Sequence, residues 1–409
     1  MSLAFLLLTS TLLTASTEPA DPANPAAPWL LTIEQARDAP SAALVAVRPG
    51  GERRDLLHLD VLPNYTPHAR LSSDRRTLFL ARQTQPNRIE RGAELLAFDV
   101  TTRALRTIAQ GVDAVPPLAL SDEAVAWFET IATRPAMLPG SDEADFDRVT
   151  VSLRAALAGQ AQAVELLRLD DILGVHFAGI ADSGIVLYVI TPEEAAFYLL
   201  PIEERFARAS RAPIRQPRRA QPTQPKLAIE ARDEAIPPSG LMRLAAAPTG
   251  PVAREFVVHG QQLFFGALTR DRMGSALFWL DIPPLDDLVA RRDADASRAA
   301  RELTRTGERS PAPLIVRDRL VFARSNERGE AVQSRALDLD KGATKTLLQT
   351  VGQLRLLAAD ESASSIAVRR DFEEASELLW IDLETSTARR LQPLEFYEVI
   401  GFSKTGGIR

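Results

Sequence analysis

The side chains able to move protons or hold metals are few and scattered. Histidine occurs four times, at His58, His68, His176 and His259. An imidazole can serve as acid, base or ligand near neutral pH, but no two of these stand at metal-ligand spacing. Cysteine is absent, which excludes a thiolate zinc site, a cysteine nucleophile and a disulfide framework. The run Gly401-Phe402-Ser403-Lys404-Thr405 lacks the second glycine of a nucleophile elbow, and neither H-E-x-x-H nor a P-loop occurs. Asp142, Glu143, Asp145 and Asp147 form an oxygen-rich cluster of the kind that can take calcium, but no glycine sets a binding turn. Asp338-Leu339-Asp340 opens like a calcium loop, yet its twelfth position is Gln349 and its neighbours read as a hairpin turn. The expectation is therefore no catalytic constellation, no metal site and no cofactor.

What must position these residues is a repeat. The segments Phe98-Asp99-Val100-Thr101-Thr102, Leu337-Asp338-Leu339-Asp340-Lys341 and Ile381-Asp382-Leu383-Glu384-Thr385 align without gaps. In each, a strand ends at an Asp, small polar residues turn the chain, and a new strand follows. A second motif, a polar turn before a β-rich strand, recurs at Asp74, Asp122, Asp182, Gly260, Asp318, Asp360 and Lys404. The closest spacings match the ~40–50 residues of one four-stranded propeller blade. At the C-terminus a first strand, residues 396–402, has almost no chain after it. At the N-terminus, residues 44–48 and 56–60 resemble outer strands with no first strand before them. One blade shared between the two ends closes a ring and removes a free sheet edge.

The unit Leu71-Ser72-Ser73-Asp74-Arg75-Arg76-Thr77-Leu78-Phe79-Leu80, with Leu95-Leu96-Ala97-Phe98-Asp99 after it, resembles the repeat of TolB-like and WD-type β-propellers. Leu379-Trp380-Ile381-Asp382-Leu383 is the nearest copy of that family's second strand. The resemblance runs over residues 41–409. It implies an all-β, seven-bladed propeller of four-stranded antiparallel blades, and a role as scaffold, sensor or accessory domain. Six blades plus an irregular one is the alternative, because residues 192–254 are poorly periodic.

Residues 1–16 combine an apolar stretch with small residues after it, the pattern of a secretory signal peptide. Residues 17–40 read as a Pro/Ala-rich linker. The expected compartment is the periplasm or the exterior, without an integral membrane span. The net charge is −6, which argues against a nucleic-acid-coating protein. Two insertions interrupt the repeats. Within residues 205–239, the part 205–229 has six Arg, one Lys and no acid, with Pro213, Pro217, Pro222 and Pro225. It reads as an extended arm in which Arg211, Arg215, Arg218 and Arg219 could contact polyanions. Residues 285–303 suit a short helix.

His68 and His176 fall on expected innermost strands, with Tyr65 just before the first, so these three are candidates for a binding site at the channel mouth. Function then divides three ways. The leading expectation is a non-catalytic scaffold for an envelope or secreted protein. The others are a lyase or glycan hydrolase acting at the channel mouth, and a ligand or polyanion sensor.

Overall fold

The computed structural model describes residues 28–48, 51–137, 144–157, 163–202, 241–247, 255–269, 274–284, 287, 300–307, 313–326, 329–337, 344–350, 352–360, 364–371, 376–391 and 396–403. Its strands form seven sheets of four, each antiparallel throughout. Blade 1 takes β1 (Leu30–Gln35), β2 (Ser41–Val47) and β3 (Arg53–Asp60). Blade 2 is β4 (His68–Leu71), β5 (Thr77–Gln83), β6 (Ala93–Asp99) and β7 (Leu105–Val112). Blade 3 is β8 (Leu118–Ala119), β9 (Ala124–Met137), β10 (Ala144–Leu157) and β11 (Val164–Ile172). Blade 4 is β12 (Gly174–Ala181), β13 (Gly184–Ile190), β14 (Ala195–Leu200) and β15 (Met242–Ala246). Blade 5 is β16 (Phe256–His259), β17 (Gln262–Leu268), β18 (Ser275–Asp281) and β19 (Arg301–Gly307). Blade 6 is β20 (Leu314–Val316), β21 (Arg319–Asn326), β22 (Gly329–Ala336) and β23 (Lys345–Thr350). Blade 7 is β24 (Gln353–Asp360), β25 (Ser365–Asp371), β26 (Ser376–Asp382) and β27 (Thr387–Leu391), and β28 (Phe396–Phe402) returns to blade 1. The order β28-β1-β2-β3 makes the C-terminal strand the inner one of the shared blade, as expected, and seven blades replace the six-blade alternative.

The second strands are apolar without alternation because both faces of each blade are covered. On β5, Leu78 and Leu80 pack toward blade 1 while Phe79 packs toward blade 3. On β17, Leu263 and Phe265 face blade 4 and Phe264 faces blade 6. The core is accordingly divided into seven clusters, one per blade interface. Trp127 and Trp380 lie in two of them. Blade 4 approaches blade 5 so closely that a Cβ on Gly179, whose φ is +148°, would stand 2.7 Å from a methyl of Val258.

Two expected boundaries move. β1 lies inside residues 17–40, the expected linker, so the propeller starts before Ser41. Its flanking prolines gave the segment a linker composition, but β28 on one side and β2 on the other bury the whole strand. The tail of the expected helix 285–303 is likewise strand, since Arg301, Glu302 and Leu303 begin β19, and Arg301 and Glu302 pair with Trp279 and Phe278 of β18. Nearly all the rest of that insertion, all of 205–239 and the expected signal peptide 1–16 lie outside the described residues, as do Asp338 and Asp340. Asp145 and Asp147 belong to β10 rather than to a calcium loop.

Every inner strand starts at one end of the ring, here the mouth end, and in blades 2 to 7 it hands over to its second strand at the other, the turn end. The turn end is tied together by its polar turns. Asp122 accepts the Ser73 hydroxyl at 2.6 Å and the Asp74 N–H at 2.8 Å, joining blades 2 and 3. Arg75 reaches past blade 1 to donate to the fully buried Asp360 of blade 7 at 2.7 Å. Blade 1 has no such turn, because its inner strand comes from the far end of the chain. Hydrogen bonds replace it: Ser403 N–H to Trp29 O at 2.8 Å, and Trp29 N–H to Ser403 Oγ at 3.3 Å.

Candidate functional site

His68 opens β4 and its Nδ1 stands 3.6 Å from Glu398 Oε2 on β28, the neighbouring inner strand. Arg70 is two residues further along, so strand alternation puts it on the same face. Its side chain is exposed, while desolvation by the chain around it lowers the guanidinium pKa and the Glu398 carboxylate opposes the shift. His68, Arg70 and Glu398 therefore form one polar cluster near the mouth of the channel.

The other candidates do not join it. The Tyr65 hydroxyl donates to Asn87 Oδ1 at 2.8 Å and accepts the Asn87 N–H at 3.1 Å, fixing the loop between β5 and β6 instead. His176 lies on an inner strand, as expected, but two blades away from His68, and its ring stacks on Tyr188 at 6.3 Å. Its neighbour Phe177 stacks on Phe128 of blade 3 at 4.1 Å. Arg211, Arg215, Arg218 and Arg219 lie outside the described residues. Among the described residues no group of three or more His, Asp or Glu side chains is placed to hold a metal ion. No helix among them is long and apolar enough to cross a membrane.

A feature missed by sequence reasoning stands at the same end. β9 and β10 are each 14 residues long, against six to eight for the second strands of the other blades. β8 pairs with β9 only up to Ala126, and β11 pairs with β10 only from Val149 onward. Beyond those points no third strand pairs with either among the described residues, and the two pair with each other out to Met137 and Ala144. The result is a two-stranded ribbon whose first residues are tied to blade 2, where the Asp113 N–H donates to Phe128 O at 3.0 Å. At its base, buried Asp113 accepts the Thr130 N–H at 3.0 Å, the Thr130 hydroxyl at 2.8 Å and the Arg91 N–H at 2.9 Å. Burial nevertheless wins, and the Asp113 pKa is raised. Glu90 accepts the Thr133 hydroxyl at 2.8 Å. Ile131 on the ribbon and Ile89 in the adjoining loop are 40% and 61% exposed. The β-branched Thr130, Ile131 and Thr133 are compatible with strand, but nothing in the sequence marked its length.

No family model and no curated protein matches this chain. Solved structures do, at low identity. A protein provisionally assigned as a 6-phosphogluconolactonase from Bacteroides fragilis aligns over 94% of this chain and 99% of its own, with 9% identity and a TM-score of 0.52. Oligopeptidase B from Leishmania major aligns over 93% of this chain at 10% identity and a TM-score of 0.52. This chain spans 48% of that enzyme, and 49% of a prolyl endopeptidase it matches at 12% identity and a TM-score of 0.51. TolB from Acinetobacter baumannii aligns over 95% of this chain and 89% of its own at 10% identity, with a TM-score of only 0.40. At such identities the likeness extends to the propeller fold and no further.

Proposed function

We propose that this chain is an exported, non-catalytic propeller that holds a protein partner at its mouth end, in the cell envelope or after secretion. The ribbon carries this reading. A two-stranded ribbon is marginal alone in water, and its free edges can accept a partner's strand. Exposed Ile131 and Ile89 beside it supply apolar contact. The rigid ring behind it fixes the ribbon's direction through Asp113. Export rests on the composition of residues 1–16.

A photo-crosslinking amino acid at Ile131, used in intact cells, tests the partner. One discrete crosslinked protein is expected, lost when residues 133–148 are replaced by a two-residue turn. A crosslink pattern unchanged by that replacement overturns the assignment. N-terminal sequencing of the mature chain tests export, with cleavage near residue 16 expected.

The His68–Glu398 pair beside Arg70 favours a second reading, an enzyme at the channel mouth, since an imidazole and a carboxylate within reach can share a proton. His68→Ala and Glu398→Gln would then abolish turnover while leaving partner capture intact.

A further inference from the structure

Blade 6 differs from its neighbours at the mouth end. Its inner strand β20 has three residues, paired as Leu314 with Val321, Ile315 with Leu320 and Val316 with Arg319. Among the described residues, 322–326 of β21 have no inner-strand partner. Beside them Arg355 of blade 7 meets Glu255, just before β16 of blade 5, at 3.5 Å. A cavity of about 310 Å³ adjoins that bridge, with β21 residues Ala323, Arg324 and Ser325 in its wall. The volume is at the small end for ligand pockets.

The carboxylates here are already committed. Glu330, 8% exposed, accepts the Ser325 hydroxyl at 3.1 Å and the Leu354 N–H, which ties the β21–β22 hairpin to the start of β24. Asp371 Oδ1 accepts Arg369 Nε at 2.5 Å and the Ser376 hydroxyl at 2.6 Å. Glu255 has Arg355. Arg324 is different: it is exposed in the cavity wall and makes no hydrogen bond or ion pair with any other described residue.

We propose that this cavity is a binding site for a small monocarboxylate bearing hydroxyl or amine donors, with Arg324 taking the carboxylate. A planar guanidinium matches a carboxylate through two parallel N–H···O bonds. Two arginines and three carboxylates leave the lining one negative charge in excess, which opposes a dianion such as phosphate more than a monoanion whose carboxylate is met by Arg324 itself. Each carboxylate oxygen keeps lone pairs beyond the bonds named above, so the acidic lining can still accept from the ligand's donors. The site is independent of the ribbon, so it stands whether or not a protein docks there.

Calorimetric titration of the full chain at low salt tests it, with glycerate, serine, glycerol and inorganic phosphate as probes. Saturable binding of glycerate or serine is expected below about 10 mM, with no binding of glycerol. The better of the two tells whether the ligand's donors are hydroxyls or an ammonium. Arg324→Gln should weaken binding about tenfold or more and leave the melting curve unchanged, because the side chain is exposed and unpaired. Arg106→Gln, an exposed site on the outer strand of blade 2, should bind like the original chain. Affinity unaltered in Arg324→Gln, phosphate binding tighter than both acids, or no saturable heat from either acid overturns the proposal.

Discussion

Asp113 shows how far one side chain can be read from its surroundings. Three hydrogen bonds from Thr130 and Arg91 favour its carboxylate, and burial disfavours it more. The unfolded chain releases this proton near the ordinary value of 3.8, while the folded chain keeps it to higher pH. Between those two points the folded state binds more protons than the unfolded state. Stability from this group is therefore full below the unfolded value, falls as pH rises through the window, and levels off above the folded value. In Asp113→Asn the amide oxygen can still accept both backbone N–H groups and the amide nitrogen can donate to Thr130. The expected outcome is that the variant loses this slope. Urea midpoints from about pH 3.5 to 7 should show the original chain losing ground to Asp113→Asn as pH rises, and a difference that does not vary with pH refutes the assignment. Nothing in the sequence marked Asp113, because its partners come from β9 and from the loop between β5 and β6. The same holds for Arg75 and Asp360, 285 positions apart, and for the cavity around Arg324, which draws on three blades.

Elements were more legible than contacts. The hairpin turns at Asp99 and Asp382 form as their sequences dictate, each Asp side chain accepting two backbone N–H groups of its own turn at 2.7–2.9 Å. Such bonds are local, so local sequence encodes them. β1 was hidden because its burial depends on β28, which lies at the opposite end of the chain. The ribbon was hidden because pairing length is a property of two strands together. Blade 4 shows what an insertion leaves untouched: Leu199 of β14 pairs with Met242 of β15 although the Arg/Pro-rich segment lies between them. Glu194 takes both Arg243 Nε, at 3.0 Å, and Arg243 Nη2, at 2.6 Å, which clamps the outer strand and lowers the Glu194 pKa. Replacing residues 203–239 by a short Asn-Gly turn should leave the blade folded. A roughly tenfold shorter connection reduces the loop-closure cost by about 2 kcal/mol, so the melting temperature should hold or rise. A marked fall would show that the segment contributes to the core. On a heparin column the shortened chain should elute at lower salt if the arginines of that segment hold polyanions.

At the scale of the whole ring, stability depends on a closure that the blade count already implied. Seven wedges each bury both faces only when the last meets the first. The closing contacts come from β28. It pairs with β1 from Leu30–Phe402 to Gln35–Phe396. Phe402 is 1% exposed and meets Trp380 of blade 7 edge-on at 4.8 Å. Ser403 and Trp29 exchange the hydrogen bonds that stand in for a turn. Phe402→Ala removes a buried ring from a close-packed interface and should cost about 3–5 kcal/mol, measured as a lower urea midpoint with an unchanged slope. Stopping the chain after residue 395 removes the whole strand. It leaves the buried β1 as a bare edge and uncovers one face of blade 7, a larger loss than Phe402→Ala. Since a folded domain has only about 5–15 kcal/mol in reserve, that chain should fail to fold or should aggregate through β1. A truncated chain with the original melting temperature would mean that the blades stand as separable units and that closure adds little. The graded pair distinguishes the cases: a closed ring predicts partial loss from the ring substitution and collapse from the truncation, whereas an open array of independent blades predicts a local and similar effect from both.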